Sequence, residues 1–162
     1  MDDFENILKI AKVHEIKLKE MYEAFSVRFP EDADFWSKIA KEEEIHAHWI
    51  SNILKLYMRG EVQSKSTTLK IQAIKSAIDY IDSIIVRCGK NEVTRLQAFG
   101  LAHDAEKGMI ENKTFKSFNF MSGKYKDIGY RLEEATLKHR DLIMERLNDT
   151  KKSHTAGQGG SS

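Results

Sequence analysis

Apolar residues in the first part of the chain recur at alternating steps of three and four, the rhythm of a helix that buries one stripe. Leu8, Ala11, Leu18, Tyr22, Phe25 and Phe29 make one stripe, and Trp36, Ile39, Ile50, Ile53 and Tyr57 make a second. Leu96, Phe99 and Ile110 form a third, and Ile128, Leu132, Ala135 and Leu142 a fourth. Alternating β-branched runs closed by Asn-Gly turns are missing, and Pro30 is the single proline. The spacing predicts an all-α protein.

Stop and start signals divide the chain further. The first helix is expected from about Asp2, with Glu5 three residues on, to Arg28, before the turn Phe29-Pro30-Glu31-Asp32. A second runs from Ala33 to Arg59 and stops at Gly60, a residue that readily takes the left-handed position after a helix end. After the polar stretch EVQSKSTT come a helix from Thr68 to Arg87, another opening after an Asn91 cap and reaching Ser117, a break at FNFMSGK, and a last helix from Tyr125 to Asn148. The expectation is one domain over residues 1–149, two antiparallel helix hairpins joined by a crossover that holds an extra helix. Residues 150–162, KSHTAGQGGSS after the first lysine, have nothing apolar to bury and are expected to be a disordered tail.

Each of the four long stripes is broken near its middle by a titratable residue in register. These are Glu15 on the first helix, Glu43 and His46 within KEEEIHAHW on the second, His103 and Glu106 on the third long helix, and His139 on the last. Turning the first hairpin around residues 29 to 31 sets Glu15 level with Glu43 and His46. Turning the second around residues 120 to 123 sets His103 against His139 and Glu106 against Thr136. Burying several unpaired carboxylates is strongly destabilising unless they neutralise one another, hydrogen-bond or hold a cation. Glutamate oxygen combined with histidine nitrogen suits iron, manganese or zinc better than calcium or magnesium. Tyr22 and Tyr57 read as core aromatics, either of whose hydroxyls can bond a carboxylate of the layer.

Composition narrows the partners. Lysine and arginine number 26 against 25 acidic residues, so no basic field for nucleic acid or an anionic membrane exists. A single cysteine, Cys88, excludes an internal disulfide framework and a Cys-x-x-Cys metal knuckle. The acidic, amphipathic start lacks the features of a secretory signal, and no run is long and apolar enough to cross a bilayer, so a cytoplasmic location is expected.

With those residues in place, the chain resembles the ferritin-like superfamily, and within it the rubrerythrin-type di-iron proteins. Glu15, Tyr22 and Phe25, then Phe35-Trp36, Ile39-Ala40 and Glu43-x-x-His46-Ala47, look like the family's first helix pair, and Ala102, His103, Glu106 and His139 look like its second. The likeness spans about residues 4 to 148. It implies a ferritin-like four-helix bundle holding one or two iron ions through Glu15, Glu43, His46, Glu106 and His139, with His103 as a replacement ligand or hydrogen-bonding partner. If two ions bind, Glu43 would bridge them. Ferroxidase or peroxide-reducing activity on dioxygen or peroxide, and a homodimer, are further implications. The family's second Glu-x-x-His reads Thr136-Leu137-Lys138-His139 here, so one bridging carboxylate is absent, and so are the four cysteines of a rubredoxin-like centre. The alternative is a metal-free bundle in which the same side chains form a hydrogen-bonded layer that fixes helix register, the protein serving as a binding or assembly module.

Overall fold

The first stripe is buried as its spacing requires. The computed structural model describes residues 3–61, 71–111 and 127–158. In it α1 (Asp3–Arg28) encloses Leu8, Ala11, Glu15, Leu18, Tyr22 and Phe25, with Phe29 following just beyond its end. Pro30, whose fixed φ suits the first position of a helical turn, opens a 3-10 turn over Pro30–Asp32 that reverses the chain into α2 (Ala33–Met58). The whole second stripe is buried except Tyr57, which is half-buried. Gly60, at φ 71, ends α2: its N–H bonds the Tyr57 carbonyl at 2.9 Å and that of Glu61 the Leu56 carbonyl at 3.0 Å, so otherwise unpaired carbonyls of the last turn are satisfied.

α3 (Ile71–Gly89) is the extra helix, and it packs along α1, burying Ile74, Ile81, Ile84 and Cys88. Its terminus corrects the expected cap of the next helix. Asn91 does not open that helix; it sits left-handed at φ 60 and closes α3, with Asn91 N–H on the Cys88 carbonyl and Glu92 N–H on the Arg87 carbonyl. Asparagine tolerates that conformation better than most residues. α4 (Arg95–Glu111) starts four residues later behind Thr94, whose hydroxyl accepts from the Gln97 N–H at 3.3 Å while Gln97 Oε1 accepts from the Thr94 N–H at 2.9 Å. That reciprocal pair is a capping box.

α5 (Ile128–Gln158) pairs with α4 and continues through residues 150–158, where the sequence placed a disordered tail. No glycine or proline interrupts it between Gly129 in its first turn and Gly157, and the Thr150, Ser153 and Thr155 hydroxyls donate back to the carbonyls of Arg146, Asp149 and Lys151. The expected ends of the first and third long helices at Asp2 and Ser117, the start of the last at Tyr125, and the breaks EVQSKSTT and FNFMSGK lie wholly or largely outside the described residues.

Two of the stripes shift in register. On α4 the buried face is Ala98, Phe99, Ala102, Ala105 and Glu106, with Leu96 and His103 at its edge; on α5 it is Leu132, Thr136, His139, Ile143 and Leu147, with Ala135 and Leu142 to the side. Among the described residues the interior therefore holds two apolar clusters. One gathers Leu18, Tyr22, Phe25, Trp36, Phe99 and Ile143; the other gathers Phe4, Leu8, Ala11, Ile50, Ile53 and Leu132. Between them along α1, α2 and α5 lie Glu15, Glu43, His46, Thr136 and His139, all buried.

The hairpin turn is tied to α4. Asp32, 3% exposed, accepts from Arg95 Nε at 2.5 Å and from Arg95 Nη2 at 2.9 Å, a two-pronged charge-assisted contact. Removing the guanidinium strands a buried carboxylate, although the partial exposure of Arg95 reduces the cost. Arg95→Met is expected to lower unfolding free energy by about 1–3 kcal/mol in urea titrations with helical content unchanged; a loss within about 0.5 kcal/mol would show that the pair does not anchor the turn.

Candidate metal centre

Glu43 sits at the middle of the polar layer because α2 carries it in the seam, one turn before His46. Its two oxygens face in different directions. Oε2 lies 2.8 Å from His46 Nδ1 and Oε1 lies 2.7 Å from His139 Nδ1, so one carboxylate joins a histidine of its own helix to a histidine of α5. The two imidazole rings are 5.5 Å apart at an interplanar angle of 29°. Glu15 enters from α1, with Oε2 3.4 Å from His46 Nδ1, and Glu106 enters from α4, with Oε1 3.6 Å from His139 Nδ1. Glu43, His46 and His139 each offer a ligand atom, and these atoms all lie within 4.8 Å of one another.

A partner on the far side fixes several members of this layer. The Tyr22 hydroxyl donates to Glu106 Oε1 at 2.6 Å, as expected of a core tyrosine beside a buried carboxylate. His14 Nδ1 lies 3.4 Å from Glu15 Oε1, and His139 Nε2 lies 2.7 Å from Glu42 Oε2. The sequence reading missed His14 and Glu42. His14 is off the stripe facing α2 and is buried on a second face of α1; Glu42 looks like one more charge in a run of three glutamates. The one signal for His14 is the helical position it shares with Ile7 and Met21, which also lie on a second buried face of α1.

His103 is not part of the layer. It pairs with Asp104 Oδ1 at 3.4 Å, and the expected contact with His139 is made by Glu106 instead. The buried face of α4 passes through Ala102 and Ala105 to Glu106, and that register turns His103 towards the edge. Thr136 is buried in the layer, where it brings no charge, and its hydroxyl donates to the Leu132 carbonyl at 3.0 Å.

The ionisation of the layer follows from burial set against mutual attraction. Burial opposes the charged form of Glu15, but His14 and His46 outweigh it and hold the carboxyl down at about 2. Burial raises Glu43, the negative charge of Glu106 raises it further, and bonds from His139 and His46 offset this only in part, so it rests at about 7. Burial disfavours both imidazolium ions, yet Glu15 and Glu43 lift His46 to about 10, and Glu106 and Glu43 lift His139 to about 11. For Glu42, burial acts upward, but the bond from His139 and the nearby Lys138 and Lys38 prevail and lower it. Burial, then Glu106, pushes the Tyr22 phenol well up, so it remains a donor.

Comparison of the chain with protein-family models, with curated proteins and with solved structures returns no match. Composition, fold and layer are therefore the grounds for a functional reading. Among the described residues no helix is long and apolar enough to cross a membrane.

The charge states give a stability profile for the metal-free protein. His46 and His139 have folded values above the ordinary 6.5, so their contribution is whole below about 6.5 and is lost as the pH rises through 10 to 11. Glu43, raised from 4.5 to about 7, loses its contribution in the same direction, between those two values. Glu15 runs the other way, contributing above 4.5 and losing that as the pH falls through about 2. Urea midpoints of metal-free protein are expected to fall between about pH 6 and pH 10, and to fall less in His139→Gln. Parallel profiles for the two proteins would contradict this assignment.

Proposed function

We propose that the chain is a ferritin-like, rubrerythrin-type bundle that binds a transition metal, iron foremost, with manganese and zinc suited to the same donors. The observation that carries the reading is the convergence of Glu43, His46 and His139, each buried and each on a seam, to within ligand reach of one another. Mixed carboxylate and imidazole donors fit borderline transition metals better than hard oxygen-seeking cations. Ferritin-like di-metal proteins build their sites from one glutamate on each of two helices and a Glu-x-x-His on each of the other two. Here α1 gives Glu15, α2 gives Glu43 and His46, α4 gives Glu106, and α5 gives His139 with Thr136 in the remaining place.

Bound iron or manganese would supply Lewis-acid and one-electron chemistry towards dioxygen or peroxide, zinc only the former, and the proposed activity is that of a ferroxidase or peroxide-reducing oxidoreductase. The chain's own groups prepare the site for it. Glu43 presents one oxygen towards each histidine, so it would help to hold an ion beside either. Glu15 and Glu106 close the layer from the opposite helices, Tyr22 fixes Glu106 by its phenol proton, and the two apolar clusters keep water from either side of the layer. His46 and His139 must each release a proton from Nδ1 to act as ligands, so uptake is proton-coupled. With Thr136 supplying no carboxylate, the position beside Glu43 and His46 is the better furnished, and a second ion would be held more weakly. A homodimer is the proposed assembly.

The direct bonds from Glu43 to His46 and His139 favour a second reading, because they satisfy the layer without any ion. In it the layer fixes helix register and the protein is a binding or assembly module.

Metal analysis after purification without chelator separates the two. Wild type is expected to carry about one equivalent or more of iron, manganese or zinc, Glu43→Ala is expected to drop to background, and apparent affinity should rise with pH by about tenfold per unit for each proton released. Metal-free wild type whose thermal stability is indifferent to added iron would favour the register layer. Equal metal content in wild type and Glu43→Ala would show that any bound metal sits elsewhere.

A further inference from the structure

His139 is held at both nitrogens, and the outer contact has no place in the ligand set described so far. Its Nδ1 faces inward to Glu43 and Glu106, while its Nε2 lies 2.7 Å from Glu42 Oε2. Glu42 precedes Glu43 in the chain and therefore points about 100° around α2 from it. That direction takes it past the layer to the rim between α2 and α5, where its side chain keeps 29% of its exposure while His139 has 1%. A carboxylate on the outer nitrogen of a histidine selects the tautomer with the proton on that nitrogen, leaves the inner lone pair free for an ion, and makes the ring a stronger donor.

Charge counting gives this contact a second role. Glu15, Glu43 and Glu106 bring three negative charges inward, and α5 brings none because Thr136 is neutral. Two divalent ions carry four positive charges, so the inward set alone leaves one in excess in a buried layer, which is costly. Glu42 adds the fourth carboxylate, from the neighbouring helix and one bond further out.

We propose that Glu42 is a positioning residue of the metal centre: it orients His139 through its outer nitrogen and supplies the negative charge that Thr136 withholds. The proposal rests on the metal-binding reading above. It explains how a buried site works without a carboxylate from α5 and why Glu42, between exposed Lys41 and buried Glu43, turns onto a buried histidine.

The test uses cobalt(II) as the probe on the full chain, comparing wild type with Glu42→Ala and Glu42→Gln by binding titration and by the visible absorption of the bound ion. Glu42→Ala removes both orientation and charge and should weaken cobalt binding by about 10–100-fold, with altered visible bands. Glu42→Gln keeps an oxygen that accepts from Nε2 but carries no charge, so a smaller loss with bands close to wild type is expected. Wild-type affinity and an unchanged spectrum in both variants would overturn the proposal while leaving the centre intact. An effect in Glu42→Ala with none in Glu42→Gln would overturn the charge half and support the orienting half. Wild type that takes up no cobalt would overturn the centre and, with it, the role of Glu42.

Discussion

Three carboxylates and two imidazoles share one buried layer, and electrostatics permits this only if their charges are matched where they sit. Glu43 is the hinge of that match. It stands between His46 and His139, bonds both at under 3 Å, and is itself a carboxyl whose ionisation its surroundings resist. A carboxylate this buried gains nothing from water, so the helices that carry its partners must arrive at the right height and rotation. The apolar clusters on either side of the layer meet that demand as ordinary packing does, by interdigitation of Leu, Ile, Phe and Trp side chains on seams that continue through the layer.

The support around the layer is distributed over the whole bundle. Tyr22 holds Glu106, His14 lies against Glu15, and Glu42 reaches His139 from the rim. Further out, the Arg95 contact with Asp32 joins the first hairpin's turn to the start of α4, which fixes the height at which Glu106 enters. His14 Nε2 has no hydrogen-bond partner among the described residues, a cost that the fold tolerates next to the most strongly held carboxylate of the layer. Polar groups held in this way fix helix register as well as chemistry, which is why the metal-binding and register-layer readings share the same residues.

The buried stripes of the first two helices were legible apart from half-buried Tyr57, since large apolar side chains recur there without ambiguity and the Glu15, Glu43 and His46 interruptions fall on the stripe itself. On α4 Phe99 and Glu106 fall on the buried face as expected, but Leu96 and His103 lie at its edge. Its seam is built partly of alanines, Ala98, Ala102 and Ala105, which carry little hydrophobic signal, so Leu96 and His103 drew the stripe to the edge. On α5 the same weakness made Ala135 look buried where Thr136 is, although His139 was placed correctly. Asn91 was read as a helix start because asparagine serves both as an N-cap and as a left-handed terminator, and only the backbone conformation separates the two roles. Glu42 could not be found from spacing, because its partner lies on α5, far along the chain.

The most direct test of the account is anomalous X-ray diffraction from crystals grown with iron(II) or manganese(II) under anaerobic conditions, recorded on either side of the metal absorption edge. The account predicts a peak bounded by Glu43, His46 and His139, with Glu15 or Glu106 turned towards it. Peaks confined to the protein surface, with the Glu43 bonds to both histidines still closed, would contradict it.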